Sequence, residues 1–396
     1  MNYVIAFAIG IATAIPSLLA AQGGVPLIAA HRAVVIDGTA NHLSRTNWIG
    51  VTSDGSIAVL QPTLVIVRFF DANGRALGRV GKRGSGTGGF AVMGRAGWVG
   101  DTLWVADVTQ QRITYISPSR KVLRTAPMAS DVTLSSGESL PFLEGAAGAG
   151  PSPVASYRDR TSLNFGVTGS GAVPASLHEL SRSGAALLHL SSDGTLLNVA
   201  AWIPSSDACQ IRAGRGGAGL PYCTAPLYAV APDGRSIAIV DMDRASAPQT
   251  TFSVVLLSPR GDTLFAHRFP FVGVPIPAHD VDSAIAVRIA STQVLLPEAT
   301  PGLRAYHPAF YPAVQAALIG RDGRVWVQLH GGATDQQWLV LGVDGNAEAK
   351  VTLPASVTVR AATATALWVT EPGTDGSISV VRYDVPLAGS PANPKT

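Results

Sequence analysis

The sequence predicts an all-β fold, a six-bladed β-propeller of four-stranded antiparallel blades in which an N-terminal strand closes the last blade. Three observations predict it. Two series of tight-turn signals recur along the chain, short apolar or alternating runs lie between them, and no segment shows a capped 3.6-residue period. Length and composition agree: 396 residues suit one large ring, and 47% hydrophobic against 14% charged residues supply a continuous core and exclude wholesale disorder. A net charge of +3 is too weak to indicate nucleic acid.

The first turn series is Ser53-Asp54-Gly55, Val99-Gly100-Asp101, Pro232-Asp233-Gly234 and Arg321-Asp322-Gly323. Each turn precedes an apolar run: Ser56–Leu60, Thr102–Ala106, Arg235–Val240 and Arg324–Gln328. Aromatics keep register in Leu103-Trp104-Val105, Val325-Trp326-Val327 and Leu367-Trp368-Val369. The second series lies about 20 residues on, at Asn73-Gly74, Pro118-Ser119-Arg120, Asp193-Gly194, Pro259-Arg260-Gly261, Asp344-Gly345 and Tyr383-Asp384. Asp-Gly and Asn-Gly between apolar runs are strong hairpin signals, because Gly and Asn tolerate the positive φ of tight turns. Each unit therefore reads strand, turn, strand, loop, strand, turn, strand.

The second series counts six units. In the third, the outer hairpin Ala186–Val199 is clear, and the inner strands lie somewhere in Leu140–Leu180. The last unit lacks a fourth strand after Tyr383, where Pro386, Pro391 and Pro394 forbid one. A spare strand, Arg32–Ile36, precedes the first unit. It is expected to pair with Ile378–Tyr383 and leave no open ring edge.

One stretch carries a resemblance. Leu103-Trp104-Val105-Ala106-Asp107, a short loop and Arg112-Ile113-Thr114-Tyr115-Ile116 resemble the NHL-type propeller repeat. Phe70-Asp71-Ala72-Asn73-Gly74 and the Gly-rich run to Phe90 are similar to secreted bacterial six-bladed propellers of that kind. The likeness covers roughly residues 45–125 and implies a structural pair between Asp107 and Arg112. Gln61, Asp241, Leu329 and Thr370 stand near the Asp position in other blades. Such propellers are functionally diverse, so the likeness implies a fold and no activity.

The N-terminus and the cysteines indicate a compartment. Tyr3 to Ala21 carry no charge, Val4–Ile15 is apolar, and Pro16 precedes small residues suited to cleavage. Residues 1–21 are therefore expected to be a signal peptide, 22–387 the propeller and 388–396 a disordered tail, in a secreted or periplasmic protein. An uncleaved anchor competes, since 19 residues can just span a bilayer. Cys209 and Cys223 are the only cysteines, and an oxidising compartment favours their disulfide. No second Cys pair or nearby His completes a zinc set.

Loop lengths point to a site. The first-to-second and third-to-fourth strand turns are short and share one face. Long insertions fall on the other: Thr125–Leu140, Pro204–Pro226 and Phe271–Pro312. The last holds His279, Asp280, Asp282, Arg304, Tyr306, His307 and Tyr311. One His with two nearby carboxylates could hold a hard cation or polarise a water, although solvated loop charges account for the same residues. The inner strands expected at Thr46–Val51, Val92–Val99, Pro226–Ala231, Ala313–Ile319 and Val357–Thr363 contain no Asp, Glu or His. Arg95 and Arg360 lie among their polar members, with Gln315, and could attract an anion. The absence of carboxylates speaks against a calcium-dependent hydrolase or lactonase. Gly84-Ser85-Gly86-Thr87-Gly88-Gly89 matches a dinucleotide spacing, but no helix follows to receive a pyrophosphate.

The expected function is a monomeric secreted binding propeller using the long-loop face for a protein, peptide or glycan. Arg95, His279, Asp280, Asp282, Arg304, Tyr306, His307 and Arg360 are the candidate contacts. No cofactor, no nucleic acid and no membrane span after signal cleavage are expected, and the metal question is open. The alternative is a propeller hydrolase or lyase with catalytic groups from the 271–312 insertion.

Overall fold

The computed structural model describes residues 24–387, apart from 108, 128–130, 134–138, 142–155, 158–160, 163, 168–183, 191–195, 205–208, 214–215, 293–296 and 332–333. The signal peptide expected at 1–21 and the tail expected at 388–396 lie outside the described residues.

The chain is an all-β six-bladed propeller. Blade 1 is Trp48–Val51, Ile57–Gln61, Ile66–Phe70 and Ala76–Val80, paired antiparallel in sequence order. Blade 2 is Ala96–Val99, Thr102–Asp107, Arg112–Ile116 and Val122–Pro127. Blade 4 is Leu227–Val230, Ile237–Met242, Gln249–Leu257 and Thr263–Val272. Blade 5 is Val314–Ile319, Val325–Leu329, Asp335–Leu341 and Ala347–Pro354. Blade 6 takes Thr358–Ala362, Ala366–Pro372 and Ile378–Asp384 from the end of the chain and His31–Ile36 from its start. The register Arg32↔Tyr383, Val35↔Val381 and Ile36↔Val380 realises the expected closure.

Blade-to-blade packing holds the ring. Trp98 and Val105 of blade 2 share a cluster with Leu60 and Phe69 of blade 1. Phe70 and Ile49 of blade 1 meet Trp368 and Val380 of blade 6 in another cluster, completed by Ile36 of the closing strand. Trp326 and Trp338 of blade 5 pack on Leu367 and Val381 of blade 6, and Phe252 and Leu256 of blade 4 pack on Val327 and Leu339 of blade 5. The aromatic register thus serves the interfaces at Trp326 and Trp368, and Trp104 is buried as well. Among the described residues the Asp-Gly turns work as read, while Asp193-Gly194 lies outside them. In Arg321-Asp322-Gly323 the glycine takes φ 84°, open to it without a Cβ.

Four features differ from the sequence expectation. Blade 3 shows Asn164–Val167, Gly184–Leu190 and Leu196–Pro204, and the first strand pairs parallel to the second instead of continuing the antiparallel meander. Leu27–Ala29 adds a parallel strand to the outer edge of blade 5, so the N-terminal segment covers two blades. The cysteine-bearing loop is a hairpin, Gln210–Ala213 against Gly216–Gly219. The 271–312 insertion holds helix α1 (Ala278–Thr292) and helix α2 (Thr300–Ala305). Only Val281, Ile285 and Ile289 mark the inner face of α1, a stripe too short to stand out in sequence.

Asp107 and Arg112 face each other in register, and both also hold the glycine-rich loop. Asp107 Oδ2 accepts the Ala91 N–H at 2.6 Å, and Arg112 donates to Ser85 O and Gly89 O at 2.6 Å each. The nominal dinucleotide spacing is thus a loop clamped to blade 2.

Candidate functional site

The tight-turn face is bolted across. Arg321, in the first turn of blade 5, donates to Val51 O of blade 1 at 2.7 Å and to Asp101 of blade 2 at 2.9 Å. Its own N–H bonds Ala362 O of blade 6. On blade 2, Trp98 N–H bonds Pro232 O of blade 4 at 2.7 Å. That approach needs Gly97, where a Cβ would stand 2.8 Å from Pro232 O.

The inner strands carry polar residues at their opposite, long-loop ends. The pairing of blade 6 skips Arg360 between Val359 and Ala361, and the pairing of blade 5 skips Gln315 between Val314 and Ala316. In blade 2, Ala106 bonds both Arg95 O and Gly94 N–H. Such bulges turn a side chain out of the pleat. Arg95 reaches Tyr228 of blade 4, donating to its hydroxyl at 2.7 Å with the guanidinium 5.6 Å from the ring centroid. Arg360 Nε lies 3.4 Å from Thr370 Oγ1, and burial lowers the basicity of this guanidinium.

A cap adjoins this mouth at blade 5. The hairpin at 210–219 packs Ala218 and Ile211 on Val281 and Ile285 of α1 and Leu303 of α2. Cys209 and Cys223 are bonded, with Cα atoms 5.5 Å apart, and tie off the base of the hairpin. Tyr311 joins cap to ring. Its hydroxyl donates to Asp280 Oδ2 at 2.9 Å, its edge meets Tyr222 at 5.0 Å, and its face stacks on His330 at 3.9 Å and 16°. His330 Nδ1 lies 2.6 Å from the Gln315 amide nitrogen. Burial lowers the pKa of His330. Burial first, then the Asp280 carboxylate, pushes the Tyr311 phenol up to about 12.

The candidate residues divide among these places. Asp282, Arg304 and His307 line an open cleft of about 440 Å³ along α1, floored by Ile285, Ala286, Ile289 and Ala290. His279 is largely exposed and pairs with Asp280 at 3.0 Å. Tyr306 is half-buried, and burial raises its pKa. Arg360 lies on the inner strand of blade 6 and Arg95 just ahead of that of blade 2, and neither lines the cleft. Among the described residues no group of three or more His, Cys, Asp or Glu could hold a metal ion. His330 escapes notice in sequence because it is a lone His beyond Leu329; its signal is its place one residue past the Asp position of the blade.

No protein-family profile and no curated protein matches the chain. Among solved structures it is similar to a protein from Bacteroides fragilis, 9% identical, covering 90% of this chain and 98% of that one with a TM-score of 0.43. It is also similar to a catalytically inactive virginiamycin B lyase from Staphylococcus aureus with quinupristin, 11% identical, covering 89% and 98% with a TM-score of 0.37. A third is regucalcin, a calcium-binding protein from Agrobacterium tumefaciens, 12% identical, covering 91% and 96% with a TM-score of 0.36. No helix among the described residues is long and apolar enough to cross a membrane.

Proposed function

We propose that the chain is a propeller hydrolase or lyase that works at its long-loop mouth, with His330 as the proton-transfer group. The stacked Tyr311–His330 pair carries this reading, since it joins a titratable group of the ring to the 271–312 insertion. A lowered pKa keeps the imidazole neutral near pH 7 and able to take a proton. Tyr311 and Asp280 are positioning residues: the phenol stays protonated, holds the carboxylate and supports the imidazole face. Gln315 selects the tautomer. With its amide nitrogen toward Nδ1, Nδ1 accepts and Nε2 carries the proton; with the amide turned over, Nε2 becomes the base.

The cleft along α1 supports a second reading, a binding module for a protein, peptide or glycan. Its apolar floor between Asp282 and Arg304 suits a ligand of mixed character. Both readings keep the expected secreted or periplasmic location, the signal peptide at 1–21 and a monomeric ring over 22–387.

The test is a panel of activated esters, glycosides and β-elimination substrates, with His330→Gln beside the wild type. Turnover that falls at least about 100-fold in the variant, with circular dichroism unchanged, supports the enzyme. Turnover equal in both proteins, or none with any compound, overturns it. Saturable binding of a peptide or glycan, lost on Arg304→Ala, then favours the module.

A further inference from the structure

Three guanidinium groups, those of Arg68, Arg360 and Arg95, are matched with neutral partners. In blade 2 the second strand ends in a carboxylate, Asp107. Blades 1 and 6 place Gln61 and Thr370 near that position. Both are buried, and both face an arginine. Arg68 Nε donates to Gln61 Oε1 at 2.7 Å, and Arg360 Nε approaches Thr370 Oγ1 at 3.4 Å. Arg95 has a tyrosine hydroxyl and a tyrosine ring. None of the three forms an ion pair with a carboxylate among the described residues.

The nearby carboxylates have partners of their own. Glu371 follows Thr370 but serves the closing strand: it accepts from Arg32 at 2.9 Å and from the Tyr383 hydroxyl at 2.9 Å. Asp280 holds Tyr311 and His279. Asp107 holds the Ala91 N–H and the Gln110 amide. Asp241 is exposed and accepts the Met242 N–H. Among the described residues, therefore, no carboxylate compensates the positive charge of Arg360 and Arg95. Arg360 is partly desolvated, which makes an incoming anion more favourable there than in bulk water.

We propose that this mouth binds a carboxylate, with Arg360 as the principal contact and Arg95 as a second cation, so that the substrate of the proposed enzyme is an organic acid. This rests on the reading of His330 for the chemistry, not for the binding. With Nε turned to Thr370, the two NH2 groups of Arg360 have no hydrogen bond among the described residues, and a planar carboxylate matches that fork. Arg360 lies on the blade next to His330, Gln315 and Arg360 being the bulge residues of neighbouring inner strands. A carboxylate held by Arg360 would stabilise the enediolate charge that develops as His330 takes the α-proton, the electron pair then forming the double bond and expelling a β-leaving group, as a lyase requires.

The experiment is calorimetric binding of phenylacetate, with phenylacetamide and inorganic phosphate as comparison probes. Wild type should bind phenylacetate saturably and phenylacetamide at least about tenfold more weakly, the scale of one charge-assisted contact. Arg360→Gln should lose about tenfold or more. Thr370→Asp should lose as much while keeping the guanidinium, because it supplies the carboxylate from within. His330→Gln should bind as wild type, which separates this proposal from the catalytic one. Equal affinity for acid and amide, unchanged affinity in folded Arg360→Gln or Thr370→Asp, or preference for phosphate overturns it.

Discussion

Arg321 and Asp101 stand 2.9 Å apart, although one belongs to blade 5 and the other to blade 2. With the bond from Arg321 to Val51 O, this contact ties three blades together on the tight-turn face. The long-loop face is left as the open one.

Arg321→Ala should therefore cost about 1–3 kcal/mol, the scale of hydrogen bonds to a charged group. Urea unfolding reads it. Asp101 is held below its usual 3.8, chiefly by the Ser53 hydroxyl; burial opposes this, and the Ser53 N–H and then Arg321 add further lowering. A lowered carboxylate stabilises above its unfolded pKa and loses that stability as pH falls through the folded one. The deficit of the variant should thus shrink below pH 3.8. A midpoint equal to wild type at pH 7 would refute the bolt.

Ile36 is 1% exposed in the closing strand. Ile36→Ala should destabilise the ring by about 2–5 kcal/mol. Deletion of residues 22–40 should do more, since it also opens the edge of blade 6. Burial pushes Glu371 up, but the bonds from Arg32 and Tyr383 outweigh it and bring its pKa below 4.5. Glu371→Gln should therefore matter above that pH and little well below it. Because Arg32 is 51% exposed, solvent screens the pair and the effect will be modest. A truncated protein melting with the full chain would dismiss the closure as a stabilising element.

Reduction of Cys209–Cys223 should loosen the cap and spare the ring. The loop spans 14 positions, and the chain-entropy model assigns such a bridge about 3 kcal/mol. Hydrogen exchange should rise in Gln210–Ala213 and α1 and stay slow in blades 5 and 6. Labelling of the denatured protein should find no free thiol before reduction and two after it. A uniform rise across all blades would mean that the bridge supports the ring itself.

The pH profile follows from His330 and Tyr311. A depressed imidazole pKa predicts activity rising with pH through a value below 6.5 and level at neutrality. Tyr311 ionises only near pH 12 and should add no alkaline limb below about pH 10. Stability should also fall below pH 6.5, where the unfolded imidazole binds the proton first, and His330→Gln should remove that slope. A profile unchanged by the substitution would exclude His330.

The blades are legible because tight turns and alternating strands are local. Asp322-Gly323 and Asp344-Gly345 announce themselves within a few residues. The closing strand is legible by subtraction, as one strand is missing at the end and one is spare at the start. The helices are not, because α1 shows only Val281, Ile285 and Ile289 to its partners and its cap consists of residues that also suit loops. The site divides similarly. Arg95, Arg360 and Gln315 stand out as polar residues on apolar inner strands, whereas His330 acquires meaning only through Tyr311, 19 positions earlier. The cleft gathers Asp282, Arg304 and His307 through helical folding, which spacing in a presumed loop does not reveal.

The closing strand also sets the order of events in folding. Arg32 and Glu371 are 339 positions apart, so the first part of the ring to be synthesised must wait for nearly the last. Closing a loop of that length costs roughly 5 kcal/mol in chain entropy before any contact repays it. Blades 1, 2 and 4 and the four main strands of blade 5 are built from neighbouring segments and can form before the ring closes. The ring cannot lock until Ile378–Asp384 is in place, and until then blade 6 lacks its partner strand. Slow, late closure is the kinetic consequence, and a chain cut short before residue 378 would expose an unpaired N-terminal strand to any protein with an open sheet edge.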